Sequence, residues 1–506
     1  MRARRKLPWA VVLSIALFCP VARAQDPPGA PPTAADLSQL RSELAATRSE
    51  LADCKQEIVQ LRAQIQQVLA VTGASHARPG AASEQDVYPT VTSIQQESQL
   101  PSGGTPPSAD QDLLASQVSQ MEQTKVGSAS RYKVRLSGLL LANAFSTLGG
   151  VVDNQDLPNL TFHSRPGRAS GNLGATFRQS IFGLDVTGPE WLGARTSADV
   201  QFDFFGGFPQ ANYGVNAGLV RLRTAHASLD WKSTSLIVAQ DSPFFSPLSP
   251  TSYATLGEPA LSWAGNLWVW TPQVEVQHRW ALSDSSNFHV QGGVLDPMTE
   301  EMPDFQFNRT PTPGEESRRP AVAGHAGWSG SLFGHDASMG LGAYFSAQTY
   351  GAGRNLNAWA VTGDYQLPLT KWLQWSGEVY RGNALGGLGG GIWKSVVFDT
   401  TTAGAVHALN DLGGWTQLKF LATPRLEFNA AAGTANPFGR DLRFFANPVG
   451  EYTPPLARNQ AAFINSVFRP RSNLLLALEY RHLRTYQLRG TKNSADHVNL
   501  AIGVSF

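Results

Sequence analysis

The sequence is poor in cysteine, with only Cys19 and Cys54 among its 506 residues. Cys19 lies in an N-terminal apolar run that is expected to be removed, which leaves Cys54 alone. A single cysteine forms neither a disulfide within the chain nor a cysteine cluster for zinc or iron–sulfur. The ten histidines show no metal-ligand spacing. We therefore expect no metal site and no cofactor.

Charged residues are scarce and balanced, at 16% of the chain with 40 Lys plus Arg against 39 Asp plus Glu. Soluble domains average about 25% charged residues. Because the chain has no basic excess, no nucleic-acid partner is expected. Beyond residue 25, no apolar run approaches the roughly 20 residues of a transmembrane helix. The 48 glycines and 10% aromatic residues instead suit a protein of many strands and turns.

Residues 1–24 have the pattern of a secretory signal peptide. They combine a basic start, an apolar run at residues 7–18 that is too short for a membrane span, and an A-x-A cleavage site at residues 22–24. Large apolar side chains before Cys19 exclude a lipoprotein signal. The mature chain is expected to begin at Gln25 and to be exported.

A Pro-rich spacer at residues 25–36 precedes a heptad repeat at residues 37–72. Apolar side chains recur with 3–4 spacing, and Glu at g positions precedes Arg or Lys at the next e position, which indicates a parallel coiled coil. Its predicted oligomerisation residues are Leu37, Leu40, Leu44, Leu51, Cys54, Ile58, Leu61, Ile65 and Val68. The pattern leaves open two helices or three, and the alternative is one amphipathic helix packed on its own domain. Residues 73–130 indicate a flexible linker with one short helix.

From residue 131 to residue 506, period-2 alternation replaces the helical period. The predicted strands lie at residues 131–146, 172–187, 193–206, 218–231, 234–241, 266–281, 286–296, 319–333, 336–350, 355–367, 371–382, 411–422, 424–434, 459–469, 472–488 and 495–506. Every second connection is a tight turn, and most of the others are long and rich in Gly, Pro and Asn. This sorting predicts an all-β transmembrane barrel of about sixteen antiparallel strands, whereas a soluble sandwich has no reason to sort its loops.

Aromatic side chains recur beside the tight turns, at Trp191, Trp231, Trp280, Phe333, Trp372 and Phe468. Each alone would suit a core, but their repeated position indicates a membrane–water interface. The last strand alternates apolar side chains with small or polar ones and ends at Phe506. We expect it to close against the first strand, because an open strand edge is not tolerated in lipid.

The face of each strand opposite the apolar one is expected to line the lumen, since Arg or Lys facing lipid at mid-membrane costs about 2–4 kcal/mol. The predicted pore-lining residues are Arg135, Arg178, Arg195, Asp199, Gln201, Asp203, Arg221, Arg223, Glu275, Gln277 and Arg279. The alternative for each is a wall ion pair that selects nothing. Arg221 and Arg223 are the strongest candidates, because two cations on one strand are hard to neutralise.

Two short stretches resemble trimeric outer-membrane porins of the DcaP-like group. Residues 239–244, AQDSPF, are similar to the Gly-Gln segment with which such porins leave a strand for their third outer loop, with Ala239 where Gly is usual. Residues 265–273 are similar to the strand that follows, with its Pro-Gln pair. Signal peptide, coiled coil, linker, barrel and terminal Phe extend the resemblance along nearly the whole chain.

The resemblance implies a homotrimer in outer-membrane lipid, with its coiled coil in the periplasm and Phe506 as the signal read by the barrel assembly machinery. It also implies passive diffusion of small hydrophilic solutes, to which Arg221 and Arg223 add a preference for small anions such as carboxylates. The third outer loop, residues 242–265, is expected to fold inward and set the constriction. Its candidate constriction residues are Phe244, Phe245, Tyr253, Glu258 and Trp263, whose rings are expected to stack on solutes or on the wall.

The main alternative is a structural envelope protein, whose barrel is an anchor and whose coiled coil binds peptidoglycan or a periplasmic partner. An enzyme is not expected. The barrel has no G-x-S-x-G, and GGLGGG at residues 386–391 lacks the buried strand and following helix of a dinucleotide-binding loop. We expect that glycine run to be a flexible outer loop.

Overall fold

The computed structural model describes residues 132–163, 170–208, 218–299, 309–351, 353–399, 405–444, 456–488 and 492–506. The predicted signal peptide, spacer, coiled coil and linker lie outside the described residues and stay predictions. Within the described ranges, no helix is long and apolar enough to cross a membrane.

The described chain is almost entirely β-structure. Its first strands are β1 Lys133–Leu148, β2 Val151–Val152, β3 Thr161–Phe162, β4 Gly171–Thr176, β5 Ile181–Thr187, β6 Arg195–Asp203, β7 Arg221–Asp230, β8 Thr234–Asp241, β9 Thr271–Ser283 and β10 Ser286–Leu295. The others are β11 Ala321–Leu332, β12 His335–Tyr350, β13 Arg354–Pro368, β14 Leu373–Asn383, β15 Val396–Asp399, β16 Ala405–Ala408, β17 Asn410–Thr423, β18 Leu426–Pro437, β19 Leu456–Arg471, β20 Leu474–Gln487 and β21 Lys492–Ser505. Short helices are α1 Pro313–Glu316, α2 Gly390–Trp393, α3 Gly439–Leu442 and the 3₁₀ turn Gly386–Leu388.

The described strands form a closed antiparallel barrel with sixteen wall strands. β1 pairs with β21 on one side and with β4 and β5 on the other, while the remaining wall strands pair with their neighbours in chain order. β4 and β5 together make one wall strand, which is interrupted at residues 177–180. β2 with β3, and β15 with β16, form separate ribbons in the loops. The predicted sixteen-stranded barrel and its closure of last strand on first are confirmed.

Strand alternation places apolar side chains on the outside of the barrel. In β21, Val498 and Leu500 are 37% and 46% exposed, whereas Asn499 between them is 1% exposed on the inner face. The aromatic residues beside the turns are exposed as well, with Trp191 at 57% and Trp372 at 50%. An apolar outer face over a polar interior is the inverse of a soluble core, so this barrel is built to span a membrane.

Two sequence predictions need correction. The predicted strand at 266–281 begins only at Thr271, because Trp268 donates its backbone N–H to Leu388 O at 3.0 Å and lies in the interior. The glycine run at 386–391 is not an exposed flexible loop. Gly386–Leu388 form a buried 3₁₀ turn, since residues without side chains allow the chain to pack closely there.

Candidate functional site

The connection between β8 and β9, residues 242–270, folds into the barrel and meets the wall strands in turn. Near its start, Thr362 of β13 donates to Phe245 O at 2.5 Å. Glu378 of β14 then accepts hydrogen bonds from the backbone N–H of Leu248 at 2.7 Å and from Ser246 Oγ at 2.9 Å. Glu378 is 2% exposed, so the loop itself supplies its partners.

Farther along the loop, three more strands hold it, two through its backbone and one through the Ser252 side chain. Gln417 of β17 accepts from Thr251 N at 2.7 Å, and Asn465 of β19 donates to Thr251 O at 2.9 Å. Glu479 of β20 accepts from Ser252 Oγ at 2.6 Å. The loop therefore continues around the wall rather than turning back toward β8.

Beyond the barrel closure, the loop reaches the first strands. Asn143 of β1 donates to Tyr253 O at 2.9 Å. At the interruption between β4 and β5, Gln179 donates to Ala254 O at 2.8 Å and accepts from Leu256 N at 2.5 Å. The interruption of this strand places Gln179 against the loop.

Residues 244–257 thus form an inner ring that follows the wall from β13 round to β7. The wall side chains that hold it on β13, β14, β17, β19 and β20 lie about 13–16 Å from the turn ends, because antiparallel strands rise about 3.4 Å per residue and tilt by about 40°. The ring lies near half the height of the barrel. This position is where a loop sets the narrowest part of a lumen.

Arg221 and Arg223 of β7 close the ring and share one carboxylate. Asp203 of β6, whose side chain is fully buried, accepts from Arg221 Nη2 at 2.7 Å and from Arg223 Nη1 at 3.4 Å. The same two guanidinium groups donate to Gly257 O at 2.5 Å and Leu256 O at 2.6 Å. The Trp270 ring lies under both, at 4.8 and 4.6 Å. Two cations face one direct anion here, and the Arg221 side chain is 27% exposed.

Glu258 directly follows the ring and is held by the outer loops. Its Oε2 accepts from Asn159 Nδ2 at 2.8 Å, and from Ser262 Oγ and Trp263 Nε1 at 3.3 Å each. Burial, and then the charge of Asp153, raise the pKa of Glu258 above its ordinary value, while Arg221 acts in the opposite direction. The charge near the arginine pair is therefore sensitive to pH.

Apolar side chains on the inner wall anchor the same loop. Phe245 is fully buried and stacks on Tyr344 with ring centroids 5.1 Å apart. Tyr253 packs among Leu139 and Leu141 of β1 and other inner residues. The candidate constriction rings Phe244, Phe245 and Tyr253 thus contact the wall, and Trp263 packs against Trp393.

Other predicted pore-lining arginines lie away from the ring. Arg135 pairs with Asp185 at 3.0 Å and is largely exposed, and Arg195 lies opposite Asp230 in the strand register. Arg178 lies in the strand interruption, where it pairs with Asp156 at 3.0 Å. Its guanidinium stacks on Phe205 and Phe208, at 4.1 Å from each ring. This cation is enclosed rather than presented to the lumen.

The remaining predicted residues form a polar inner face on β6 to β10. His226 bridges Asp199 at 2.9 Å and Asp241 at 2.8 Å. Glu275 accepts from Gln291 at 3.3 Å. Gln201 is buried, while Gln277 and Arg279 are half-buried. Among the described residues, no group of three or more His, Cys, Asp or Glu side chains is placed to hold a metal ion.

The sequence analysis missed the side chains that hold the ring, namely Asn143, Gln179, Thr362, Glu378, Gln417, Asn465 and Glu479. Each belongs to a predicted strand. Strand alternation places Glu378 and Glu479 on the inner face, so the sequence could have identified these two carboxylates as charges that need partners. The partners themselves are distant in sequence, so alternation alone gives no sign of them.

The fold is similar to that of the outer membrane channel DcaP of Acinetobacter baumannii, with a TM-score of 0.57 and 15% identity over 75% of this chain and 99% of that one. The chain therefore shares the barrel fold of that protein. Less similar are an anion-selective porin from Comamonas acidovorans (TM-score 0.45, 12% identity, 74% of this chain and all of that one) and OprB of Pseudomonas putida (0.46, 11%, 78% and 97%). No protein-family model and no curated protein sequence matches this chain.

Proposed function

We propose that this protein is a DcaP-like porin, an outer-membrane channel through which small hydrophilic solutes diffuse passively. The inner ring carries the proposal. Its backbone hydrogen bonds and aromatic side chains are directed at the wall, strand after strand, as expected of a loop that borders a passage. A barrel that serves only as an anchor needs no such ring at half height.

Single-channel recording in planar bilayers tests the proposal. The purified full chain should produce discrete, stepwise conductance increases, and heat-unfolded protein from the same preparation should produce none. Correctly folded protein that leaves the bilayer current unchanged would overturn the channel. That result would favour a structural envelope protein whose coiled coil binds peptidoglycan or a periplasmic partner.

We further propose a local preference for small anions, such as carboxylates, at the ring. Overall charge gives no reason to expect one, because residues 131–506 carry 29 Lys plus Arg against 27 Asp plus Glu. The support is Asp203, one carboxylate that serves both Arg221 and Arg223. Fixed charge in a narrow passage attracts counter-ions, and the planar guanidinium group suits carboxylate and phosphate.

We also propose that the protein is a homotrimer in the outer membrane, with the predicted coiled coil of residues 37–72 in the periplasm. The heptad pattern and the DcaP-like sequence segments support this assembly. Phe506, at the end of the closing strand, remains the proposed signal for the barrel assembly machinery.

A further inference from the structure

Three arginines meet on the outer surface of the barrel at the loop ends of β14, β18 and β19. Arg381 and Arg440 lie over the Phe438 ring at 4.5 and 5.4 Å, and Arg458 lies over Tyr486 at 5.3 Å. We call Arg381, Arg440 and Arg458 the arginine cluster. The aromatic rings support the guanidinium groups. Arg381 already donates to Gly382 O and Asp411 O, so Arg440 and Arg458 are the main donors left for a ligand.

The cluster is short of negative charge. Arg381 donates to Asn410 Oδ1 at 2.8 Å and Arg458 to Asn436 Oδ1 at 2.9 Å, and within the described chain neither forms a salt bridge. Asp441 lies 3.5 Å from Arg440, whose side chain is 64% exposed, and already accepts two hydrogen bonds from Asn410. Among the described residues the cluster therefore has room for one more anionic group.

A cleft of about 480 Å³ opens at the cluster, between Phe438, Arg440, Leu442, Arg458 and Leu488. It shares Asn436 and Arg458 with a second cleft, of about 750 Å³, which descends the outer wall. We call this second cleft the outer groove. Its outward residues include Val379, Leu412, Thr416, Ala432 and Thr434. Small side chains on β17 and β18 form its floor, and Val379 and Leu412 form an apolar edge.

The height of the cluster fits the membrane interface. Phe468, an exposed aromatic residue, lies at the turn end of β19, and Arg458 lies toward the loop end of the same strand. The two are separated by about 25 Å along the barrel axis, given a rise of about 3.4 Å per residue and a tilt of about 40°. The apolar band of such barrels is also about 25 Å tall. Arg458 therefore lies at headgroup level, directly above the groove.

We propose that the arginine cluster and outer groove bind one phosphorylated membrane lipid of the outer leaflet. The phosphate group accepts hydrogen bonds from Arg440 and Arg458, and an acyl chain lies in the groove. Arginine forks suit phosphate oxygens, and partly desolvated pairs of this kind are strong. A second copy of this chain is the less suitable occupant, because its outward-facing acid Asp496 of β21 is already hydrogen-bonded to His482 and Tyr480 at 2.7 Å and is not available to the arginines.

Native mass spectrometry of the delipidated full chain, incubated with diphosphoryl lipid A, tests the headgroup contact. The R440Q/R458Q variant should retain about tenfold less lipid than the unsubstituted protein, because two charge-assisted contacts are lost. R354Q removes an arginine at the loop end of β13, outside both clefts, and should retain the lipid. Equal retention by R440Q/R458Q and the unsubstituted protein would overturn the proposal. So would equal binding of the dephosphorylated lipid.

The Ala432→Phe variant tests the groove, since it fills the floor without touching an arginine. It should retain several-fold less lipid while the oligomer mass is unchanged. Dissociation of the oligomer by this substitution would show that the groove is an interface between copies, and the proposal would be wrong. Excess inorganic phosphate should displace little lipid. Complete displacement would contradict the proposal, because it would show that the site binds anions without any contribution from the acyl chain. None of these measurements depends on conductance.

Discussion

At the residue scale, the shared carboxylate of Arg221 and Arg223 gives the clearest test of selectivity. Replacing both with Gln should shift the reversal potential in a salt gradient toward cations, because two fixed positive charges leave the ring. Conductance should change less, since the side-chain volumes are similar. The shift should be clear at 0.1 M salt and fade at 1 M, as the Debye length falls from about 10 Å to about 3 Å.

The control for this pair is K371Q/R425Q, which removes two cations from the turns instead of the ring. It should leave the reversal potential near that of the unsubstituted protein. If R221Q/R223Q behaves like this control at low salt, Asp203 and the loop carbonyls neutralise the pair. The proposed anion preference is then wrong.

Glu258 predicts a pH dependence of the same selectivity. Its pKa is raised, chiefly by burial, so it takes up a proton as pH falls through a range above the ordinary Glu value of about 4.3. Loss of this negative charge beside Arg221 should strengthen the anion preference as pH falls. The E258Q variant should show the stronger preference already at neutral pH and lose the dependence. A reversal potential that responds to pH equally in E258Q and unsubstituted protein would contradict this assignment.

Glu378 should determine how tightly the inner ring is held. The E378A variant removes the acceptor for Leu248 N and Ser246 Oγ, and each unsatisfied buried group costs about 1–3 kcal/mol. We expect larger open-channel noise and a higher mean conductance in single-channel records. E378Q keeps an acceptor oxygen and should be closer to the unsubstituted protein, while E190A, at an exposed turn, should match it. Records of E378A that match those of E190A would show that the ring does not depend on this contact.

Alternation in the sequence was sufficient to place Asp203, Arg221 and Arg223 on the inner face, because side-chain direction in a strand follows from parity alone. It could not reveal their loop partners. Gly257 and Leu256 reach these arginines only after the loop has passed almost around the barrel. The inward apolar residues Leu139 and Leu141 were also unexpected, since their role comes from the contact with Tyr253.

At the element scale, the closing strand depends on its last residue. Phe506 exchanges backbone hydrogen bonds with Gly138 at 2.9 and 3.0 Å, and its ring lies 5.8 Å from that of Phe182. Deleting Phe506 should therefore reduce barrel yield in the outer membrane far more than deleting residues 37–72. Quantification of heat-modifiable barrel in membrane fractions measures this. Unchanged yield without Phe506 would contradict both its sealing role and the proposed assembly signal.

The sequence predicted elements well where turn chemistry and alternation agree, as in the tight turn between β7 and β8. The sequence prediction failed where a side chain of the wall also forms hydrogen bonds with the loop. Gln179 and Ser180 continue the apparent strand pattern, but Gln179 bonds the ring and Ser180 bonds the backbone of Leu141, which interrupts the strand. Such interruptions follow from tertiary contacts and leave no local signal.

At the scale of the whole molecule, the heptad pattern indicates an oligomer, and the DcaP-like resemblance favours a trimer. Native mass measurement in mild detergent should give three copies, and deletion of residues 37–72 should weaken the assembly. Cys54, at a core position near the trimer axis, should permit a disulfide between two copies under oxidising conditions, which C54S would abolish. Only monomers, in both native mass and cross-linking experiments, would contradict the prediction.

The path of the inner ring has a further consequence for folding. Its hydrogen bonds reach Glu479 of β20 and Asn143 of β1, which lie on either side of the last strand. The loop therefore spans the place where the wall is sealed. Closing the wall brings together both halves of the loop's binding surface, and docking the loop holds both sides of the seal together. Each step lowers the free energy of the other, so constriction and closure form one cooperative folding unit.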